Sequence, residues 1–368
     1  MQNVAQSWLV YRLTHSELLL GTAWFCSQIP VFAFGSIGGV VSDRYSRHKI
    51  ILATQILSML QACALGGLTL SGHVRVWQIL VLAFSLGTIN AFDMPARQAL
   101  IVQLASKEDL LNAISLNSAV FNAARILGPA VAGLLVAALG EGVCFVLNSA
   151  SFLAVIVALL AMRIPRRPRR VIESSWSHLL EGLRYTWRHV PVRSLLMVLG
   201  ATTVAGMPLV VLMPFFADAI FHRGSRGLGF LLGAMGAGAV IGTLVLAQRE
   251  RASGLHRIVI YSALATGASY MVFSASPSFY LSLATMPVIG FSVMRQNAAA
   301  NTSIQMLIPD EYRGRIMSLY VMTVVGLGPF GSLAAGAVAH AVGPRWTVFA
   351  GGVVAMAAAV VFQAKTNE

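Results

Sequence analysis

Acid is what this chain has least of. Of 368 residues, 13 are Asp or Glu against 26 Lys or Arg, and charged residues of both signs make up 11% of the sequence. Soluble domains carry about a quarter of their residues as charges, so little of this chain is built to meet water. Cysteine is almost as scarce. Cys26, Cys63 and Cys144 are far apart and each lies in an apolar run, which argues against a disulfide framework or a Cys-based metal site and leaves them as packing residues. The eight histidines form no H-E-x-x-H and no Cys/His cluster, so neither metal nor cofactor is expected. There is no G-x-x-x-x-G-K-[ST] loop to hold a nucleotide, and no nucleophile–base pair to suggest an enzyme. Nor is there a polar stretch long enough to form a basic domain, so the net charge of +13 does not read as a nucleic-acid footprint.

What is present is apolar: 57% of residues are hydrophobic. A bilayer core about 30 Å thick needs roughly 20 such residues at helical rise. Runs of that kind lie at 18–41, 50–70, 77–96, 113–139, 142–162, 194–217, 228–247, 258–275, 278–298, 316–340 and 344–363. The expectation is an all-α integral membrane protein with eleven complete spans. The opening "MQNVAQSWLVY" is about half of a further span. It has no basic n-region and no A-x-A site, so it reads as a truncated first helix rather than a cleaved leader.

Lys and Arg placement sets the orientation. With the 42–49 connection in the cytoplasm, nineteen of the 26 cations fall on the cytoplasmic side, and Arg12, Arg75, Arg223, Arg226 and Arg345 fall outside. Arg125 and Arg295 lie within spans. The longest connection, 163–193, separates an N-terminal half (1–162) from a C-terminal half (194–368). It opens with "RIPRRPRR", which resists helix, and continues "SWSHLLEGLRYTWRH", with Leu179, Leu180, Leu183 and Trp187 on one helical face. That pattern reads either as an amphipathic helix lying on the inner leaflet or as a solvated linker with orienting charges.

Two segments about two hundred residues apart resemble each other: "RQALIVQLASKEDLLNAISLNSAVFNAARILGPAVAGLL" from Arg97 and "NTSIQMLIPDEYRGRIMSLYVMTVVGLGPFGSLAAGAVA" from Asn301. The G-x-x-x-G at Gly35 and Gly39 also has a counterpart at Gly238 and Gly242. Two similar halves related along the membrane normal suit alternating access, although duplication also builds static scaffolds.

The pattern G-x-x-x-D-R-x-x-R-x-K at Gly39, Asp43, Arg44, Arg47 and Lys49 resembles the signature loop of the major facilitator superfamily. The six-plus-six division, the basic central loop and a decayed second copy of the loop, "QRERASGLHR" at 248–257, agree with it, and the second-half loop with Asp310, Glu311, Arg313 and Arg315 is a further candidate site. "AFDMPARQALI", "AARILGPAVAG" and "IPDEYRGRIMSLY" resemble the bacterial branch of enterobactin-exporter-like and macrolide-efflux-like proteins. Ser46 departs from the pattern, which usually has Gly there. The resemblance implies a major facilitator fold of two pseudo-symmetric six-helix bundles. It also implies a monomer in the bacterial inner membrane with both termini of the complete protein cytoplasmic, and a first helix that lines the cavity.

Candidate sites follow. Gly35 and Gly39 would let the second helix pack closely on a neighbour, and Asp43 would latch the cytoplasmic side. Asp93 is the one acid placed within or just inside an apolar run, four residues before Arg97. A carboxylate held between desolvation and a neighbouring cation can exchange a proton as a transporter switches state, or the pair can be a structural clamp. Arg125 precedes Gly128, Pro129 and Gly133, an antiporter-like stretch where Gly allows close approach and Pro removes a donor, giving a pliant joint or a packing kink. The resemblance places the first, fourth, seventh and tenth spans around the cavity. Gln2, Asn3, Gln6, Asn90, Arg295, Gln296 and Asn297 are therefore candidates to face substrate, with Met207, Met213, Met286, Met294, Phe215 and Phe291 as candidates for an adaptable apolar wall. The expected function is export of a small amphipathic compound, drug, siderophore or macrolide-like, driven by proton antiport. The alternatives are a same-fold importer or symporter, and a non-transporting scaffold or truncated remnant.

Overall fold

The computed structural model describes residues 1–104, 109–162, 176–248 and 254–367. "RIPRRPRR", at 163–170, lies outside them. The chain folds as α1 (Gln2–Thr14), α2 (Glu17–Arg44), α3 (Arg47–Leu70), α4 (Val76–Leu104), α5 (Leu110–Ala161), α6 (Trp176–Arg188), α7 (Val190–Phe215), α8 (Gly224–Ala247), α9 (Leu255–Ala275), α10 (Phe279–Leu307), α11 (Asp310–Val321), α12 (Gly328–Val342) and α13 (Pro344–Asn367). Wider π-helical turns, Phe216–Ile220 and Met322–Gly326, follow α7 and join α11 to α12. Helix is the form expected in hydrocarbon, because every backbone N–H and C=O is satisfied within its own segment.

Among the described residues, nine helices are long and apolar enough to cross a membrane. The eleven runs read from sequence differ from these at two places. Runs 113–139 and 142–162 lie in one continuous α5, whose backbone leaves helical geometry at Gly140 (φ 81°, ψ 168°). That left-handed φ costs a glycine nothing and a side-chain-bearing residue a good deal. The run 278–298 becomes the first part of α10, whose last turns carry Arg295, Gln296, Asn297, Asn301 and Gln305 and dilute its apolar character.

The chain divides into two compact units, Met1–Thr14 with Ala23–Ser174, and His15–Thr22 with Ser175–Glu368. Water cannot drive helices together in lipid, so close packing of small residues has to. In the first unit a Cβ added to Gly38 would fall on the Ala91 carbonyl of α4, and one on Gly87 of α4 would fall on the Ser27 carbonyl of α2. In the second unit Gly242 of α8 meets Phe291 of α10 in the same way, and Gly290 of α10 meets Met235 of α8. The internal repeat is therefore realised as two glycine-locked helix pairs, α2 with α4 and α8 with α10. The locking glycine in α2 is Gly38; a Cβ on Gly35 or Gly39 would meet nothing within 4 Å. Gly21 and Gly336 pack against each other within the second unit, bringing the first turn of α2 onto α12.

Candidate functional site

The first unit holds a buried polar system on α3 and α4. Asp93 is 8% exposed, and its carboxylate is surrounded by donors. Oδ2 accepts Arg97 Nε and Nη2, each at 3.0 Å, and Oδ1 accepts Gln55 Nε2 at 3.0 Å and lies 2.7 Å from Thr54 Oγ1. The i,i+4 spacing within a continuous α4 brings Asp93 and Arg97 to one face, across the intervening Pro95. Thr54 has one proton for two acceptors, because its Oγ1 also lies 2.8 Å from the Ile51 carbonyl oxygen. The expected Asp93–Arg97 pair is present, and Thr54 and Gln55 are the partners that sequence reasoning missed.

Of the residues expected to face substrate, Gln2 is 6% exposed and enclosed by helices of its own unit. Its amide donates to Gln61 Oε1 of α3 at 2.6 Å and accepts from Asn148 Nδ2 of α5 at 2.9 Å. Gln6 is equally buried, Asn3 is exposed and Asn90 is half-buried. Arg12 at the end of α1 pairs with Glu141 at 2.7 Å, immediately after Gly140. A spacing of 129 residues gives such a pair no signal in the sequence.

In the signature loop, Asp43 pairs with Arg47 at 3.6 Å, and Arg47 Nη1 donates to the Ala99 carbonyl of α4 at 3.0 Å. Arg44 and Lys49 are exposed. The helix runs through Gly128 and Pro129, with Gly133 buried. The side chain of Arg125 lies outside the described residues.

In the second unit, α6 docks on the start of α11. Arg315 pairs with Glu181 at 2.6 Å, Tyr185 stacks on Tyr312 at 4.5 Å, and Gly182 lets the Arg315 side chain approach. Glu311 and Arg313 are exposed, and the Asp310 side chain is outside the described residues. Leu183 and Trp187 of the amphipathic segment are exposed, and the side chains of Leu179 and Leu180 are not among those described. Beside α6 lies a cavity of about 450 Å³ walled by Leu196, Gly200 and Val204 of α7, Leu319 of α11, and Thr323 and Leu327 of the following turns. Its polar groups include Arg193, held by the Trp187 carbonyl at 3.1 Å, Thr323, whose hydroxyl donates to the Leu319 carbonyl at 2.9 Å, and Thr186, whose buried hydroxyl has no partner.

Within the polar triplet of α10, Gln296 donates to Thr202 of α7 at 2.9 Å, and the Asn297 carbonyl accepts the Tyr320 hydroxyl at 3.3 Å. Arg295 lies over the Phe291 ring at 5.5 Å. Met213 and Met286, candidates for the apolar wall, are fully buried in the helix packing. Among the described residues no group of three or more His, Cys, Asp or Glu comes together to hold a metal.

The profile of one family, described as transmembrane secretion effector, matches residues 1–367 of these 368. The chain belongs to that family. It is a branch of the major facilitator superfamily, and with nine candidate spans the chain is a multi-pass membrane protein. Among its relatives is the multidrug efflux pump Tap of Mycolicibacterium fortuitum, 28% identical over 94% of this chain and 87% of that protein. The enterobactin exporter EntS of Shigella boydii serotype 4 is 24% identical over 84% of this chain and 74% of its own. The crystal structure of the nucleoside transporter NupG superposes with a TM-score of 0.78 at 13% identity, covering all of this chain and 96% of NupG. At that identity the likeness shows the fold alone. Membership of a transport family, rather than a catalytic constellation, is what separates this secretion effector from an enzyme.

Proposed function

We propose that this chain is a secondary exporter of a small amphipathic compound, working by alternating access in the bacterial inner membrane and driven by proton antiport. The observation that carries the reading is the match of nearly the whole chain to a secretion family, with relatives named for efflux and siderophore export. The architecture we infer has two six-helix halves, 1–162 and 194–368, joined by the basic segment 163–193, with the 42–49 loop in the cytoplasm. The paired locks, Gly38 with Gly87 and Gly242 with Gly290, support it, because helix pairs held backbone to backbone move as rigid pieces.

For coupling, Asp93 is the buried acid that a proton route needs. Its surroundings accommodate either form: ionised, it accepts from Thr54; protonated at Oδ1, it donates to Thr54 Oγ1, whose own proton turns to the Ile51 carbonyl. Ligand and proton would then bind the two access states unequally and shift the balance between them.

The test is accumulation of a panel of dyes, macrolides and catecholate siderophores in an exporter-deficient bacterium, with and without the gene. Lower accumulation of at least one compound, abolished by a protonophore, is expected. Unchanged accumulation of every compound, with the protein present in the membrane, would overturn export. Accumulation raised by the gene would instead establish uptake.

A further inference from the structure

Arg295 stands about 24 Å into α10 from its Phe279 end, at 1.5 Å per residue, inside the apolar run 278–298 that the sequence reading takes as a span. A cation at that depth is costly unless it is paired or reached by water. Arg44 and Lys49 are exposed, and three other cations have settled partners: Arg97 has Asp93, Arg12 has Glu141, and Arg47 has Asp43 and a carbonyl. Arg295 has none. Among the described residues it makes no ion pair and no hydrogen bond, and its Nε is buried without an acceptor. No Asp or Glu occurs anywhere between Phe279 and Leu307.

Its position is nonetheless fixed. The guanidinium lies over the Phe291 ring one helical turn away. That contact covers one face of the plane and leaves the N–H edge free to donate. Immediately after it α10 is tied to its neighbours, Gln296 to Thr202 of α7 and the Asn297 carbonyl to Tyr320 of α11. The result is a braced, half-buried fork of donors with an aromatic face beneath it and no anion among the described residues to receive it.

Building on the export reading, we infer that Arg295 is the anchor for an acidic group of the transported compound, whose apolar body lies along Phe291 and Met294; the substrate class is an amphipathic monoanion such as an aryl carboxylate. Two N–H groups of one guanidinium match the two oxygens of a carboxylate, and a desolvated pair of that kind is far stronger than an exposed one. A neutral isostere of the same shape would leave the fork unsatisfied and bind less well.

The experiment is equilibrium binding of a matched pair, tritiated 1-naphthylacetate and 1-naphthylacetamide, to the purified full-length protein in nanodiscs. Wild type is expected to prefer the acid by roughly tenfold or more. Arg295→Gln should lose that preference while keeping its affinity for the amide, which also reports that the variant is folded. Arg295→Lys should retain part of the preference, since it keeps the charge and loses the fork. Absence of acid binding, equal binding of both probes by wild type, or a preference that survives in Arg295→Gln would each overturn the proposal. So would equal loss of both probes in Arg295→Gln when the purified variant elutes and melts like wild type. Failure of the export reading shows elsewhere. A wild type that prefers the acid but changes no compound's accumulation removes export and leaves the anion site standing.

Discussion

Replacing Asp93 by Asn keeps the shape of the side chain and removes its charge, and the surroundings allow the cost to be worked out. One amide oxygen cannot serve both Gln55 and Thr54 on one side and Arg97 on the other. If it stays with Thr54 and Gln55, the amide NH₂ faces Arg97. The Arg97 side chain is 45% exposed and can turn to water, so loss of the ion pair is worth about 1 kcal/mol or less. The bonds from Thr54 and Gln55 then end on a neutral acceptor, which gives up about 0.5–1 kcal/mol each. The sum is about 1–3 kcal/mol. At roughly 2–4 °C per kcal/mol for a unit of this size, the unfolding temperature should fall by about 2–12 °C. Thermal unfolding of the purified protein, followed through its six tryptophans, measures this. Arg97→Gln alone should cost less, and the double variant less than the sum of the two, as expected for groups in contact. An Asp93→Asn protein that melts with wild type would refute the brace. If that same protein no longer exported, Asp93 would act in proton coupling alone.

Three further outcomes follow from the packing. Gly38→Ala should lower the yield of folded protein and its melting temperature, because its Cβ would fall on the Ala91 carbonyl, whereas Gly35→Ala and Gly39→Ala should melt with wild type; equal effects at all three would contradict the α2–α4 lock. Asp43→Asn should change stability by less than about 1 kcal/mol, since the Asp43–Arg47 pair is roughly a third exposed, so any larger change in transport would belong to a conformational role of the loop. Glu141→Gln should lower the melting temperature by a few degrees, about 1 kcal/mol, by releasing the end of α1 from α5.

The buried acid and its cation were legible because both lie on one helix, four residues apart, and a helical period brings such residues together whatever the tertiary fold. Thr54 and Gln55 were not, because neutral polar residues in an apolar run have no distinctive pattern until another helix presents the group they bind. The same holds for Gln2. On its own helix it reads as a residue facing open space, and only the approach of Gln61 and Asn148 turns it inward. Arg12 with Glu141, and Glu181 with Arg315, are joined across 129 and 134 residues by the paths of intervening helices, and no local rule foreshadows either.

Composition and period alone determined that this is a helical membrane protein, since apolar runs near the bilayer's thickness leave the backbone few other ways to satisfy itself. They also carried the repeat, the break near residue 140 and the basic loops, because each is written in contiguous residues. Which glycine locks α2 to α4 was decided by tertiary structure. Gly35, Gly38 and Gly39 share one helix and one composition, and only the rotation of that helix about its axis brings Gly38 onto Ala91. Tertiary structure likewise decided which charges are spent. Arg97 lies just past one apolar run and Arg295 within another; a carboxylate meets the first and, among the described residues, none meets the second. The difference lies in what the neighbouring helices bring to each position.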